Sequence, residues 1–272
     1  MKDLIFIQIT DIHFKDTHQQ LLHNINISEV ISHIFNDINL KHPEIEFIII
    51  TGDISDSGNT ASYLAINDII KNYKIPIFWL PGNHDNLNNI FNINQCENVS
   101  SSKAFSKNGF NFVLLNSVSG FEKGLNKSRG VLDICELEFL KLELIRKPNL
   151  QHIIALHHSP IRSGTWKDER MLQNANEFFD IVKQYQNVCL VIFGHQHHSS
   201  FDIIDKIIYF SPPAASYQFD KIIKWGFDNF PPGYGKIHLN PGGIIKCETI
   251  YINYKIDPIF NPGSTYSYNL IF

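Results

Sequence analysis

The chain has 272 residues, is 43% hydrophobic and carries 27 acidic against 23 basic side chains, for a formal charge of -4. That is enough apolar content to bury the core of one large α/β or sandwich domain. The mildly acidic balance, with no run of like charge, argues against a nucleic-acid groove, which needs a basic stripe. The longest unbroken apolar run, six residues at 188–193, is far too short to span a membrane.

The chain opens on MKDLIFIQITD, where 3–9 reads as a strand. This start lacks the h-region and cleavage site of a signal peptide, so a cytoplasmic protein is expected. Helical spacing comes next at about 27–41, with Val30, Ile31, Ile34, Phe35 and Ile38 on one face. Beyond it lie a strand at 46–51, a helix at about 60–73, and strands at 76–80 and 110–115. A helix at 134–147 begins with Asp133-x-x-Glu136, which resembles a capping box. Strands at 151–156 and 187–193 enclose a helix at about 174–186. From about 206 the runs IIYF, YGKIHL and IIKCETIYI alternate around Pro and Gly, and Asn240-Pro-Gly-Gly looks like a hairpin turn. Alternating strands and helices argue for α/β layering. With no linker or repeat, residues 1–272 read as a single domain with a β-rich C-terminal portion. The four cysteines, Cys96, Cys135, Cys189 and Cys247, make no CxxC pair. That sets aside a zinc ribbon and fits a reducing compartment. Cys189, inside an apolar run, reads as a small core residue.

The residues at the strand ends carry the chemistry. After 3–9 comes Asp11-Ile12-His13, and after 46–51 comes Gly52-Asp53-Ile54-Ser55-Asp56. After 76–80 comes Gly82-Asn83-His84-Asp85, and after 151–156 comes His157-His158-Ser159-Pro160. After 187–193 comes Gly194-His195-Gln196-His197. Alone, the first three read as well as turns, and His157-His158 as core and surface neighbours. Five such strand ends together point to the crevice where α/β sheets build their sites. Carboxylate, imidazole and amide donors suit iron, manganese or zinc. Asp11, His13, Asp53, Asn83, His157, His195 and His197 make seven candidates, enough for two ions if one carboxylate bridges.

The stretches QITDIHF, TGDISD, WLPGNHD, LHHSP and FGHQH resemble, complete and in order, the five motifs of the calcineurin-like metallophosphoesterases. Within that superfamily the chain is most similar to the class III cyclic nucleotide phosphodiesterases, which include the bacterial 3′,5′-cyclic AMP phosphodiesterases. LHHSPIRSGTWKDERMLQNANEF, SPPAASYQF and PPGYGKIHL extend the likeness over nearly the whole chain. The resemblance implies an α/β fold: a four-layer α/β/β/α sandwich of two mixed sheets, of the metallo-dependent phosphatase kind.

Carried over by position, it implies one ion on Asp11, His13, Asp53 and His197 and a second on Asp53, Asn83, His157 and His195. The ions would be divalent or trivalent, iron or manganese first and zinc as an alternative. Whether His157 or His158 is the ligand is open from the residues; the family pattern favours His157. His84 would be the catalytic histidine that is not a ligand, and His13, Asp53, Asn83, His84 and His197 would contact substrate. The implied reaction is hydrolysis of 3′,5′-cyclic AMP to 5′-AMP by a metal-bridging hydroxide. The alternative is the same site on another phosphodiester, a phosphomonoester or a nucleotide pyrophosphate. The partner would be a small nucleotide, with no nucleic acid or membrane; relatives are often dimers, which makes a homodimer an option. A non-catalytic scaffold would show gaps among the ligand positions or lack His84, and all eight are present.

Two departures stand out: Ser159 replaces the family's third histidine, and Pro213-Ala214-Ala215 replaces a Ser-Thr-Cys-like stretch. Asp85 is expected to orient His84 or to be a turn residue, and Asp56 to be a cap before a supporting contact. Phe14 and Tyr217 read as packing before base stacking. His198, His18, His23, His33, His42, His152 and His238 read as surface or packing histidines.

Overall fold

Apolar runs of four to six residues, cut by Gly, Asn or Pro, become the central strands of this protein. The longer stretches with a period near 3.6 become helices that cover them. The structure is a computed structural model that describes residues 2–92, 97–118 and 128–254. In chain order the first elements are β1 (Leu4–Ile9), α1 (Ile27–Lys41), β2 (Ile48–Thr51), α2 (Thr60–Ile70), β3 (Ile77–Leu80), α3 (Leu87–Asn92) and β4 (Val99–Ser100). Then come β5 (Ala104–Lys107), β6 (Phe110–Leu114), α4 (Ile134–Arg146), β7 (Gln151–Ala155), α5 (Ala175–Val182) and β8 (Val188–Ile192). The chain finishes with β9 (Ser200–Ile204), β10 (Ile207–Ser211), β11 (Gln218–Phe219), β12 (Phe227–Asp228), β13 (Gly233–Leu239) and β14 (Ile245–Tyr251).

Two six-stranded mixed sheets result, ordered β14-β13-β1-β2-β3-β4 and β5-β6-β7-β8-β10-β9. In each, parallel strands are bordered by antiparallel ones: β13 pairs antiparallel with β1, and β5 and β9 with β6 and β10. One core, with Val30, Ile34, Ile66 and Ile50, lies between the first sheet and α1 and α2. A second, with Leu140, Phe178 and Val191, lies between the other sheet and α4 and α5. A third, with Phe6, Phe47, Phe112, Ile153 and Leu190, fills the space between the sheets. The expected four-layer α/β/β/α sandwich is therefore present. In the middle layer Phe47 stacks on Phe6 at 5.1 Å and meets Phe112 edge-on at 5.1 Å. Burying each such ring is worth roughly 1.5–3 kcal/mol.

The first six predicted strands and four predicted helices all form. Asp133 caps α4 by accepting from the Glu136 amide at 2.8 Å, while the Glu136 carboxylate turns away to the Asn116 amide and Lys103. The helices expected at 60–73 and 174–186 stop early, at Ile70 and Val182. At the first, Asn72 donates from its side chain to the carbonyls of Asp68 and Ile69 and ends the helix.

The β-rich C-terminal portion contributes strands to both sheets. β10 joins one sheet while β13 and β14 extend the other, their hairpin turning at Asn240 with Gly243 at φ 96°. It also starts earlier than 206, with β9. The β9–β10 turn places Asp205 and Lys206 at φ 51° and 69°, the primed geometry that fits strand twist but lacks the usual Asn-Gly signature. No helix among the described residues is long and apolar enough to cross a membrane.

Candidate metal centre

The loops after β1, β2, β3, β7 and β8 meet at one edge of the sandwich. Gln8 of β1 spans both sheets, donating to the Thr51 hydroxyl at 3.0 Å and to the Phe193 carbonyl at 2.8 Å. The loops are then tied to one another: Asp11 N donates to Gly52 O (3.1 Å), His13 N to Asp53 O (2.8 Å) and Gly194 N to His157 O (2.9 Å).

Asp53 lies at the centre. Its Oδ1 accepts from the His84 amide at 2.8 Å, and its Oδ2 lies 3.5 Å from His13 Nε2 and 3.3 Å from His157 Nε2. On one side are His13 Nε2 and His197 Nε2, 3.1 Å apart, with Asp11 Oδ1 3.3 Å from the latter. On the other, His157 Nε2 is 3.3 Å from Asn83 Oδ1 and 3.3 Å from His195 Nδ1. All seven residues singled out from the sequence are thus brought together, and three or more ligand atoms converge at several points around Asp11, Asp53 and the histidines.

The backbone at this edge is unusual. Asp11, His13, Asp53, His195 and His197 all have φ between 50° and 68°. This left-handed region costs a non-glycine residue energy, and such outliers gather where function demands them. The loops are also packed without spare room. A Cβ on Gly82 would overlap the Asp53 carboxylate and amide, and one on Gly194 would overlap the Thr10 hydroxyl beside Asp11. Gly82→Ala should therefore displace Asp53 and cost about 10²-fold in turnover, since a shift of about 1 Å at a reacting centre has that effect. Metal content and kcat of the purified variant test this.

Ring orientation is set from behind. His157 Nδ1 donates to the Thr51 carbonyl at 2.8 Å and His197 Nδ1 to the Tyr217 carbonyl at 2.8 Å, which leaves each Nε2 bare to bind a cation. His158 Nδ1 faces the Ser117 hydroxyl at 2.8 Å and its Nε2 is buried without a partner among the described residues; it converges with His157 and His195, while Asp53 and Asn83 are met by His157. Asp11 Oδ1 and His195 Nε2 are buried without a hydrogen-bond partner among the described residues. A donor set of two carboxylates, an amide oxygen and four imidazoles, with orphaned atoms inside it, fits hard or borderline cations.

Electrostatics agrees. Burial opposes a proton on His157, but the Asp53 carboxylate outweighs it and pushes the imidazole up to about 9. Burial likewise opposes charge on Asp53, yet the surrounding histidines hold its carboxyl well below the usual range. The surroundings of Asp53 thus favour positive charge. By contrast, burial holds His197 and His198 down to about 4.

These shifts set a pH signature for chelator-stripped protein. Between 4 and 6.5 the unfolded chain binds protons that folded His197 and His198 refuse, so stability falls with acid, by about 3 kcal/mol per histidine. His157 has the opposite sign: its contribution is complete below 6.5 and is lost as pH rises toward 9. Stability should therefore peak near pH 6.5, and added metal should remove the alkaline decline by replacing the proton. Urea unfolding across pH, with and without chelator, checks both arms.

His84 stands on the exposed side of the cluster, where its ring nitrogen comes within 4.8 Å of ligand atoms of His13 and Asp53. Its ring meets that of His13 edge-on at 4.6 Å, its side chain is 42% exposed, and its Nδ1 donates to the Asp56 carbonyl at 2.9 Å. Two sequence expectations need correction. Asp85 makes no bond to His84; its carboxylate accepts from the amides of Ile54, Ser55 and Gly82 and from the Tyr63 hydroxyl, fastening two loops together. Asp56 is a supporting residue rather than a cap: its carboxylate lies 3.5 Å from His13 Nδ1 and 2.8 Å from Lys15 Nζ. Its neighbours come from another loop, so local sequence carried no sign of this. Tyr217 and Phe14 are buried, as packing residues, with Tyr217 against the His13 and His197 rings.

A sequence profile for the calcineurin-like phosphoesterases matches residues 4–199. The chain is 32% identical over 258 residues to a 3′,5′-cyclic-nucleotide phosphodiesterase of Nostoc sp., covering 92% of this chain and 94% of that one. It is 26% identical to the 3′,5′-cyclic adenosine monophosphate phosphodiesterase of Escherichia coli, over 95% and 92% of the two chains. Among solved structures, a dimetal phosphatase from Danio rerio superposes with a TM-score of 0.66 at 14% identity, covering 88% of this chain and 93% of the other.

Proposed function

This chain belongs to the calcineurin-like phosphoesterase family, and we propose that it is a dinuclear metal-dependent phosphodiesterase opening 3′,5′-cyclic AMP to 5′-AMP. Its class is that of a phosphoric ester hydrolase; the substrate is taken from the relatives of Nostoc and Escherichia coli, which match over 92% and 95% of this chain. The observation that carries the reading is the placement of Asp53 Oδ2 between His13 and His157, with a donor cluster on either side.

In this reading Asp11, His13 and His197 would hold one ion and Asn83, His157 and His195 the other, and Asp53 would serve both. Iron or manganese suits the mixed oxygen and nitrogen donors, with zinc as the alternative. When bound, the ions supply Lewis acidity and lower the pKa of water, so that a nucleophile exists near neutral pH. Thr51 and Tyr217 keep His157 and His197 in the tautomer that presents Nε2. Asn83 and His13 face the phosphate oxygens. His84, oriented through Nδ1 by the Asp56 carbonyl, has Nε2 free to hydrogen-bond the phosphate or protonate the leaving ribose oxygen. The partner is a small nucleotide in the cytoplasm.

The test is hydrolysis of 3′,5′-cyclic AMP by Mn²⁺- or Fe²⁺-loaded protein, beside 2′,3′-cyclic AMP and bis-p-nitrophenyl phosphate. Preferential turnover of the 3′,5′ isomer is expected. Turnover of the generic diester alone would keep the site chemistry and remove the substrate assignment.

A further inference from the structure

Lys167 is not accounted for by the metal cluster. It sits on a short 3-10 turn, Trp166–Arg170, between β7 and α5, and its side chain is buried with only 7% exposure. The ammonium lies 4.6 Å from the centre of the Phe219 ring and 5.6 Å from that of Trp166. Phe219 packs in turn against the ring of His197, 4.7 Å away. Phe219 therefore touches both the lysine head and a candidate metal ligand. Its charge bears on Asp11 and Asp53, and on His158, His195 and His197.

The aromatic faces attract a cation but accept none of its three N–H bonds in the ordinary sense. No carboxylate lies within ion-pair reach of Lys167 Nζ among the described residues, whereas Lys15, Lys103, Lys147 and Lys236 all have one. Lys167 makes no side-chain hydrogen bond or ion pair among the described residues, so its ammonium is left to water or to an incoming anion, and a methionine would fill the same volume without carrying charge. An anion arriving at the centre could replace that water as the acceptor. Both carboxylates there are already surrounded by histidines, and a phosphodiester brings oxygens of its own.

We propose that Lys167 is the non-metal cation of this site, donating a hydrogen bond to a non-bridging phosphate oxygen of the bound substrate. The inference rests on the phosphodiesterase reading for its ligand. Phe219 and Trp166 hold the ammonium in place, so that its role is to bind and orient the phosphate rather than to transfer a proton. A charge-assisted bond of this kind is pre-organised and serves any phosphate ester at the centre.

The test compares Lys167→Met and Lys167→Arg with the wild type, all loaded with Mn²⁺. The substrate is bis-p-nitrophenyl phosphate and the inhibitor orthophosphate. Lys167→Met should keep its metal content while KM and the orthophosphate inhibition constant rise about 10- to 100-fold. Lys167→Arg should recover most of the loss. Wild-type KM and inhibition in the methionine variant would overturn the proposal, as would a rise that arginine leaves uncorrected.

Should the methionine variant not fold, the wild type itself decides. Acetylation of Lys167 under limiting reagent, read by peptide mass spectrometry, should be slowed by orthophosphate while that of exposed Lys141 is not. Equal labelling with and without orthophosphate would sink the idea. Neither readout uses a cyclic nucleotide, and the labelling needs no turnover. Failure on 3′,5′-cyclic AMP and failure of the Lys167 contact are thus seen separately.

Discussion

Asp53→Ala protein is expected to lose at least about 10³-fold in kcat/KM, the equivalent of about 4 kcal/mol of transition-state stabilisation. It should also bind no more than one ion. The reason is position. Asp53 Oδ2 lies 3.5 Å from His13 and 3.3 Å from His157, so its removal strips a donor from both clusters at once. Loss of either outer donor, such as Asn83, touches only one. Asp53 Oδ1 also accepts the His84 amide at 2.8 Å, so the substitution frees the loop that carries His84. Metal analysis separates the causes: two tightly held ions with lost turnover would contradict a shared ligand. Stability supplies a second readout. Ligand binding stabilises by about 4 kcal/mol at a thousandfold excess over Kd, so the wild type should melt higher with metal than without, and the variant much less so.

His84→Ala tests the opposite case. It should keep both ions and lose about 10²- to 10⁴-fold in kcat, the range for a positioned acid or base. His84 meets the cluster through its backbone amide and an edge-on contact with His13, its side chain is 42% exposed, and its Nδ1 donates away from the cluster to the Asp56 carbonyl. An alanine there preserves the amide bond to Asp53. Metal loss equal to the activity loss would place His84 among the ligands and remove its role on substrate. Asp56→Asn is the companion variant: it keeps the carbonyl that orients His84 while removing the charge beside His13. It should therefore affect kcat less than His84→Ala does.

Much of this was legible in the sequence because it is local. A strand's alternation, the glycine that ends it and the polar residue next to that glycine are set within a few positions. So QITDIHF, TGDISD, WLPGNHD, LHHSP and FGHQH could be read one after another as strand ends bearing ligands. The layered α/β class came from the alternation of elements, and the two cores outside the sheets from the apolar faces of α1, α2, α4 and α5.

Other features were decided only by packing between distant segments. His157 and His158 are adjacent in sequence and alike in chemistry. Their surroundings differ through distant segments: the Thr51 carbonyl, from the other sheet, accepts from His157 Nδ1, and the Ser117 hydroxyl meets His158 Nδ1. Asp85, read as orienting His84 or as a turn residue, does close a turn on Gly82, and its carboxylate also fastens the loops after β2 and β3; Asp56, read first as a cap, stands beside His13. Lys167 lies in a stretch whose residues gave no sign that its ammonium would be buried against Phe219. Donor identity is a property of a residue and can be read from the chain. Which donors face one another depends on two sheets meeting across a phenylalanine core and on five residues held at positive φ, and neither is encoded in any short stretch.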